Sequence, residues 1–331
     1  MLNRRDFLSS LLAWFVAAPF KPLDPVDRNM RYGITGALWG DWPNGALRMS
    51  TDMQQIIDMT ARFGLQGIEP YGRQIIAYLD KPLALKQMCE SAGISLIDVG
   101  DLPPTKLNPN AWVSKEGNAE LIARMVSFAH DFLAPCGCDH WKTNMGARPA
   151  GGPTEDQLKN LANTLNEIGR QTIALGVRLA PHPHIWGPME REHEIRRVME
   201  LTDPRYVWLT ADTAHLTLGG GDAVQIIRDY FPRIAEVHLK DTYARYRGNS
   251  ATPTQAEHAK ASLYHNLGAG GVDFPALFKL LRTRNFKGWV VYDLDAPRPN
   301  DGTGTIEQNL AVNINYLRTK LHVKLPSPPQ S

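Results

Sequence analysis

The stretch Ile234-Ala235-Glu236-Val237-His238-Leu239-Lys240-Asp241 reads as a buried apolar strand that ends in an imidazole, an ammonium and a carboxylate. The same pattern recurs three times. The run VRLAP leads into His182-Pro183-His184, YVWLTA into Asp212-Thr213-Ala214-His215, and GWVVY into Asp293-Leu294-Asp295. Imidazoles and carboxylates rarely gather at four strand ends for packing reasons alone. If those ends converge, they form a metal site with acid–base groups around it.

Outward from these strands, the pattern alternates. Extended runs are expected at Arg31–Ala37, Gln66–Glu69, Ile94–Val99, Cys138–Asn144, Val177–Ala180, Tyr206–Ala211, Ile234–Leu239 and Gly288–Leu294. Helical spacing is expected over Asp52–Phe63, Pro82–Ala92, Ala119–Ala134, Thr154–Leu175, Glu190–Leu201, Ala223–Phe231, Phe274–Asn285 and Ile306–Lys320. Gly64, Gly93, Gly137, Gly176 and Gly288 stand between a helix and the following strand, where a left-handed residue ends a helix at low cost. Short apolar strands covered on both faces are those of a parallel sheet. Eight such units favour a closed α/β barrel, the (β/α)8 TIM barrel, over an open doubly wound sheet. No Gly-x-Gly-x-x-Gly follows the first strand, which weakens a dinucleotide-binding reading.

In a parallel barrel the carboxyl ends of all strands face one mouth. His182, Asp212, His238 and Asp293 leave strands five to eight and are the expected metal ligands. Two imidazoles and two carboxylates suit one divalent ion of the Mn, Zn, Co or Fe type better than Mg. His184 lies two residues beyond His182 and would share its direction. His184, Glu69 and Lys240 are the candidate catalytic groups; an ion pair of Glu69 with a loop arginine such as Arg73 is the competing reading. His215, Trp39, Asp241 and Trp186 are candidate substrate contacts, with Trp42, Tyr71 and Trp141 further aromatics after strand ends. The long segment Thr242–Gly271 between strand seven and its helix is expected to form a lid.

The 331 residues, 43% hydrophobic and 21% charged, are those of an ordinary globular chain with room for one large core. A formal net charge of +2, without a basic stripe, argues against a nucleic-acid partner. Three cysteines, Cys89, Cys136 and Cys138, do not make a disulfide framework. Arg4-Arg5, followed by Phe7-Leu8 and the short apolar stretch Leu11–Phe20, resembles a twin-arginine export signal too short to span a bilayer comfortably. The expected organisation is therefore a signal segment and linker over 1–29, a barrel over 30–322 and a tail over 323–331. The expected location is the periplasm or beyond, with the cytoplasm as the alternative.

These motifs resemble the sugar phosphate isomerase/epimerase superfamily, the xylose isomerase-like TIM barrels. That group includes sugar epimerases, hydroxypyruvate isomerase, inosose dehydratase and the type IV endonucleases. The likeness runs from Tyr32 to Leu321. It is most specific at Asp212–His215, at Glu236–Asp241, and from Leu267-Gly268-Ala269-Gly270-Gly271-Val272-Asp273-Phe274 to Gly288–Asp295. The resemblance implies that Asp212 and His238 bind metal. Asp293 stands where a Glu is usual. His182 stands where epimerases commonly hold Glu, and the His-x-His there resembles inosose dehydratase. The expected activity is a metal-dependent sugar isomerase or epimerase acting by proton abstraction beside a carbonyl of a sugar, keto-sugar or cyclitol. A dehydratase or lyase on the same site is the alternative. A periplasmic sugar-binding module and an endonuclease are weaker readings, and a homo-oligomer is compatible with all of them.

Overall fold

The structure is a computed structural model, and it describes residues 29–43, 46–298 and 304–325. The export-signal expectation falls on residues 1–28, outside the described residues. Eight parallel barrel strands follow in order: β1 (Met30–Thr35), β2 (Gly67–Glu69), β3 (Ser95–Leu96), β4 (His140–Thr143), β5 (Arg178–Pro181), β6 (Leu209–Asp212), β7 (Ile234–Leu239) and β8 (Gly288–Tyr292). Six of them form one sheet in the order β3-β2-β1-β8-β7-β6, and β4 pairs with β5. A bridge from Leu179 to Val207 connects β5 towards β6.

The other junction, between β3 and β4, is held differently. Strand three was expected to run to Val99, but its ladder stops at Leu96. Beyond that point Asp98 Oδ2 accepts the Lys142 backbone N–H at 2.6 Å, and Trp141 Nε1 donates to the Val99 carbonyl at 2.8 Å. Asp101 accepts from Asn144 N at 3.1 Å. Side chains thus satisfy the main-chain groups that a strand pair would have satisfied. Trp141, expected at the mouth, is fully buried in this seam.

The outer helices lie within a few residues of expectation. Thr154 caps Glu155–Ile173 with a reciprocal Gln157 contact, and Thr305 caps Ile306–Thr319 in the same way with Gln308; each such box is worth about 1 kcal/mol. The helix expected over Ala119–Ala134 opens into a π turn at Ala129–Leu133, where Pro135 has no N–H to continue the ladder. Inside the barrel Ile97 and Trp289 pack together. Gly67 makes room for them, because a Cβ there would stand 2.7 Å from both.

The segment after β7 has structure of its own. Asp241–Thr242 pairs antiparallel with Tyr264–His265, and Gln255–Lys260 is helical. Trp186 Nε1 donates to the Pro253 carbonyl at 2.7 Å, and Thr252 Oγ1 donates to Glu190 at 2.8 Å, so the segment is tied to the loop after β5. Its base is Asp241. Oδ1 of that carboxylate accepts from the backbone N–H of Thr242, Gly271 and Val272, and Oδ2 from Gly268 and Gly270, at 2.8–3.1 Å. A Cβ on Gly270 would overlap the carboxylate. This corrects the expectation for Asp241, which organises the glycine-rich loop instead of facing a substrate.

Asp241→Ala leaves these amides without their anionic acceptor and should lower stability by about 3 kcal/mol. Urea unfolding followed by circular dichroism checks this, with Asp241→Asn intermediate.

Candidate active site

The alternation of strand side chains sets the middle of the site. In the parallel ladder Asp212 of β6 pairs with His238 of β7, and Val291 of β8 pairs with His238 on the other side. Inward side chains on β7 are therefore Glu236 and His238, and Lys240 continues the alternation directly after the strand.

The expected ligands converge. His182 Nε2 is 3.7 Å from Asp212 Oδ2, and His238 Nδ1 is 3.8 Å from the same oxygen and 3.6 Å from Asp293 Oδ2. Ligand atoms of His182, Asp212 and His238 all lie within 4.8 Å of one another. All three residues are buried, and His182 Nε2, Asp212 Oδ2 and His238 Nδ1 have no hydrogen-bond partner. Buried polar atoms are seldom left so, and three of them aimed at one point are what a cation would satisfy. Asp293 differs. Oδ1 accepts from Thr35 Oγ1 at 2.8 Å, and Oδ2 lies 3.1 Å from Lys240 Nζ, so this carboxylate is shared between the ligand set and a cation.

Each ring is aimed from behind. Asn144 donates Nδ2–H to Asp101 at 3.1 Å, which turns its Oδ1 to accept from His182 Nδ1 at 2.9 Å. Glu69 Oε2 accepts from His238 Nε2 at 2.9 Å. Asp212 Oδ1 accepts the His215 backbone N–H at 2.8 Å and caps the helix Thr213–Leu218. Carboxylates and carbonyls behind ligating imidazoles fix the tautomer that offers the free nitrogen.

Glu69 does not pair with Arg73; it stands between His238 and Lys142, whose Nζ is 3.6 Å from Oε1. Burial raises the pKa of Glu69. Burial also raises Asp212 to about 6, Asp293 adding to it while Lys240 opposes. Burial works against the charge on Lys240, but Asp293 and Asp295 outweigh it and hold the ammonium charged, 4.1 Å above the Tyr264 ring. His184 is half-buried, and its Nδ1 meets the Ile185 carbonyl, leaving Nε2 as the basic nitrogen. Burial lowers its pKa to about 4. His215 lies against it with ring centroids 3.7 Å apart, and neither His215 nitrogen has a partner. Trp186 adopts a left-handed backbone (φ 67°) and sits 6.0 Å from His184. Trp39 is fully buried in the core, so it offers no open face for stacking, contrary to expectation.

Lys142, Asn144, Thr35 and Tyr264 were not singled out from sequence. Lys142 was legible in principle, since it follows His140 by two on one strand; the other three are fixed only by tertiary placement.

The profile of the Xylose isomerase-like TIM barrel family matches residues 57–319. The chain belongs to that family. An inosose dehydratase of Clostridium tetani is 32% identical over 146 residues, 43% of this chain and 48% of that protein; the chain thus spans about half the length of the curated relatives it matches. A sugar phosphate isomerase/epimerase from Parabacteroides distasonis superposes with a TM-score of 0.65 at 18% identity, over 89% of this chain and 96% of that one. D-psicose 3-epimerase from Clostridium cellulolyticum gives 0.66 at 13% identity, over 89% and 99%. These two likenesses concern the fold. Among the described residues no helix is long and apolar enough to cross a membrane.

Asn144→Ala removes the acceptor that orients His182 and should weaken divalent-metal affinity by roughly 10–100-fold. Competition titration with a fluorescent chelator reads this out.

Proposed function

We propose that this chain is a divalent-metal-dependent enzyme that removes the proton beside the carbonyl of a keto-sugar or cyclitol and completes the reaction by loss of a β-hydroxyl. One observation carries the reading: three unsatisfied ligand atoms, on His182, Asp212 and His238, meet beside the half-buried imidazole of His184. The matched inosose dehydratases support the same chemistry.

His182, Asp212 and His238 would hold the ion, with Asp293 beside them. When bound, such an ion supplies Lewis-acid polarisation of the substrate carbonyl, worth several kcal/mol. The protein does the rest. His184 Nε2 accepts the α-proton while its Nδ1 stays fixed on Ile185. The electron pair left on carbon forms the C=C bond as the β-carbon–oxygen bond breaks. The leaving hydroxide takes the proton back from His184 and departs as water, with His215 placed to hold it by hydrogen bonds. Lys240, kept charged by Asp293 and Asp295, binds a substrate oxygen as a hydrogen-bond donor and does not give up its proton.

Isomerisation or epimerisation starts from the same proton removal and is the second reading. Glu69 Oε1 favours it, because this buried oxygen has no hydrogen-bond partner and could carry a proton at a second position. In either case the Arg4-Arg5 segment supports export of the folded chain, and an exported enzyme meets unphosphorylated substrates.

Four outcomes are expected. In D₂O with inososes and 3-keto-sugars, the manganese-loaded protein generates an enone absorbance; deuterium entering recovered, unsaturation-free sugar would select the second reading, and neither signal across the panel would contradict both. His184→Ala lowers kcat by about 10²–10⁴ while metal content is kept. The base works deprotonated and its pKa is lowered to about 4, so kcat/KM rises with pH through about 4 and is level towards neutrality. Replacing Arg4 and Arg5 by Lys should retain the chain in the cytoplasmic fraction on cell fractionation.

A further inference from the structure

Below the mouth the barrel interior holds a second group of ionisable side chains that the reaction above does not use. Asp98, His140 and Glu236 are fully buried, and one ligand atom from each lies within 4.8 Å of the others. Their polar atoms are unsatisfied: Asp98 Oδ1, His140 Nε2 and both oxygens of Glu236 have no hydrogen-bond partner. His140 is oriented as metal-bound imidazoles are, with Nδ1 donating to Asp139 Oδ1 at 2.6 Å and Nε2 turned inwards.

The spacing discriminates between an ion pair and a ligand set. A protonated His140 bonded to Glu236 would close to about 2.7–2.9 Å. His140 Nε2 and Glu236 Oε2 are 3.4 Å apart. Two ligand atoms about 2.1 Å from one tetrahedral ion stand about 3.4 Å apart. We propose that Asp98, His140 and Glu236 form a second divalent-cation site, of zinc-like N/O chemistry, closed off inside the barrel.

Its place in the fold gives it a task. Asp98 and His140 stand on the two sides of the β3–β4 seam, where the main-chain ladder is missing and Asp98 Oδ2 already replaces a strand bond. Glu236 reaches them from β7 across the interior. A cation held by all three fastens the seam to the opposite wall. It also adds positive charge between two buried carboxylates, where Glu236 otherwise has only the imidazoles of His140 and His238 beside it, at 3.4 and 3.6 Å.

The test is metal content of the purified, tag-free full chain after saturation with zinc and gel filtration, measured by mass spectrometry. Wild type should hold about two equivalents, His182→Ala about one, and His182→Ala with Glu236→Gln none. One equivalent in wild type and none in His182→Ala would overturn the inner site while leaving the mouth site standing. One equivalent in both would support the inner site and sink the mouth site. No metal in wild type would sink both. If the double variant does not fold, anomalous scattering at the zinc edge from wild-type crystals decides: a peak between Asp98, His140 and Glu236 supports the inference, and its absence overturns it.

Discussion

The imidazole of His238 is the interaction on which the rest of the site depends. Its Nε2 is fixed by Glu69 from β2, and its Nδ1 faces carboxylates from β6 and β8 on either side. One ring thus ties four strands of the barrel together at the depth where chemistry would occur. It can do so only because the parallel ladder sets Asp212 and Val291 level with it. A slip of one residue in either pairing would turn a ligand outwards into the helical layer. Register is therefore a functional property here as well as a structural one.

The barrel and the convergence of His182, Asp212 and His238 were legible because both depend on short-range rules. Apolar runs closed by His or Asp mark strand ends, and the left-handed glycines Gly64, Gly93, Gly137 and Gly176 mark helix ends, whereas Gly288 opens β8 and Asn285 (φ 53°) takes the left-handed position after the preceding helix. The run Ile234–Leu239 was bounded correctly because every one of its residues is buried on a two-faced strand. What escaped the sequence was the use of side chains in place of backbone. Asp98 cuts strand three short by serving as a main-chain acceptor, and nothing local distinguishes that aspartate from one at a loop. Asp241 stands next to Lys240 in the sequence, but its carboxylate is consumed by the amide of Thr242 and by four amides of a loop some thirty residues away in the chain. Trp39 follows a strand as a mouth aromatic would and Trp141 lies within β4, yet both are core residues. Position after a strand constrains where a residue is, but not which way a large ring packs.

The arrangement is also asymmetric. Imidazoles of His182, His184 and His215 crowd one side, while Lys240, Asp293 and Asp295 form a charged group beside them. The segment after β7 joins the two through Tyr264, which lies over Lys240 and 5.6 Å from His215. Such a site has a proton acceptor on one side and a fixed cation on the other. That difference suits a reaction in which one group shuttles a proton to a departing oxygen, more than one in which matched carboxylates exchange protons across a single carbon.

Anomalous diffraction from crystals grown with manganese bears on all of this at once. The proposed function predicts a strong peak within coordination distance of His182 Nε2, Asp212 Oδ2 and His238 Nδ1 together. Density showing these atoms hydrogen-bonded to one another, or to ordered water, around no anomalous scatterer would contradict it.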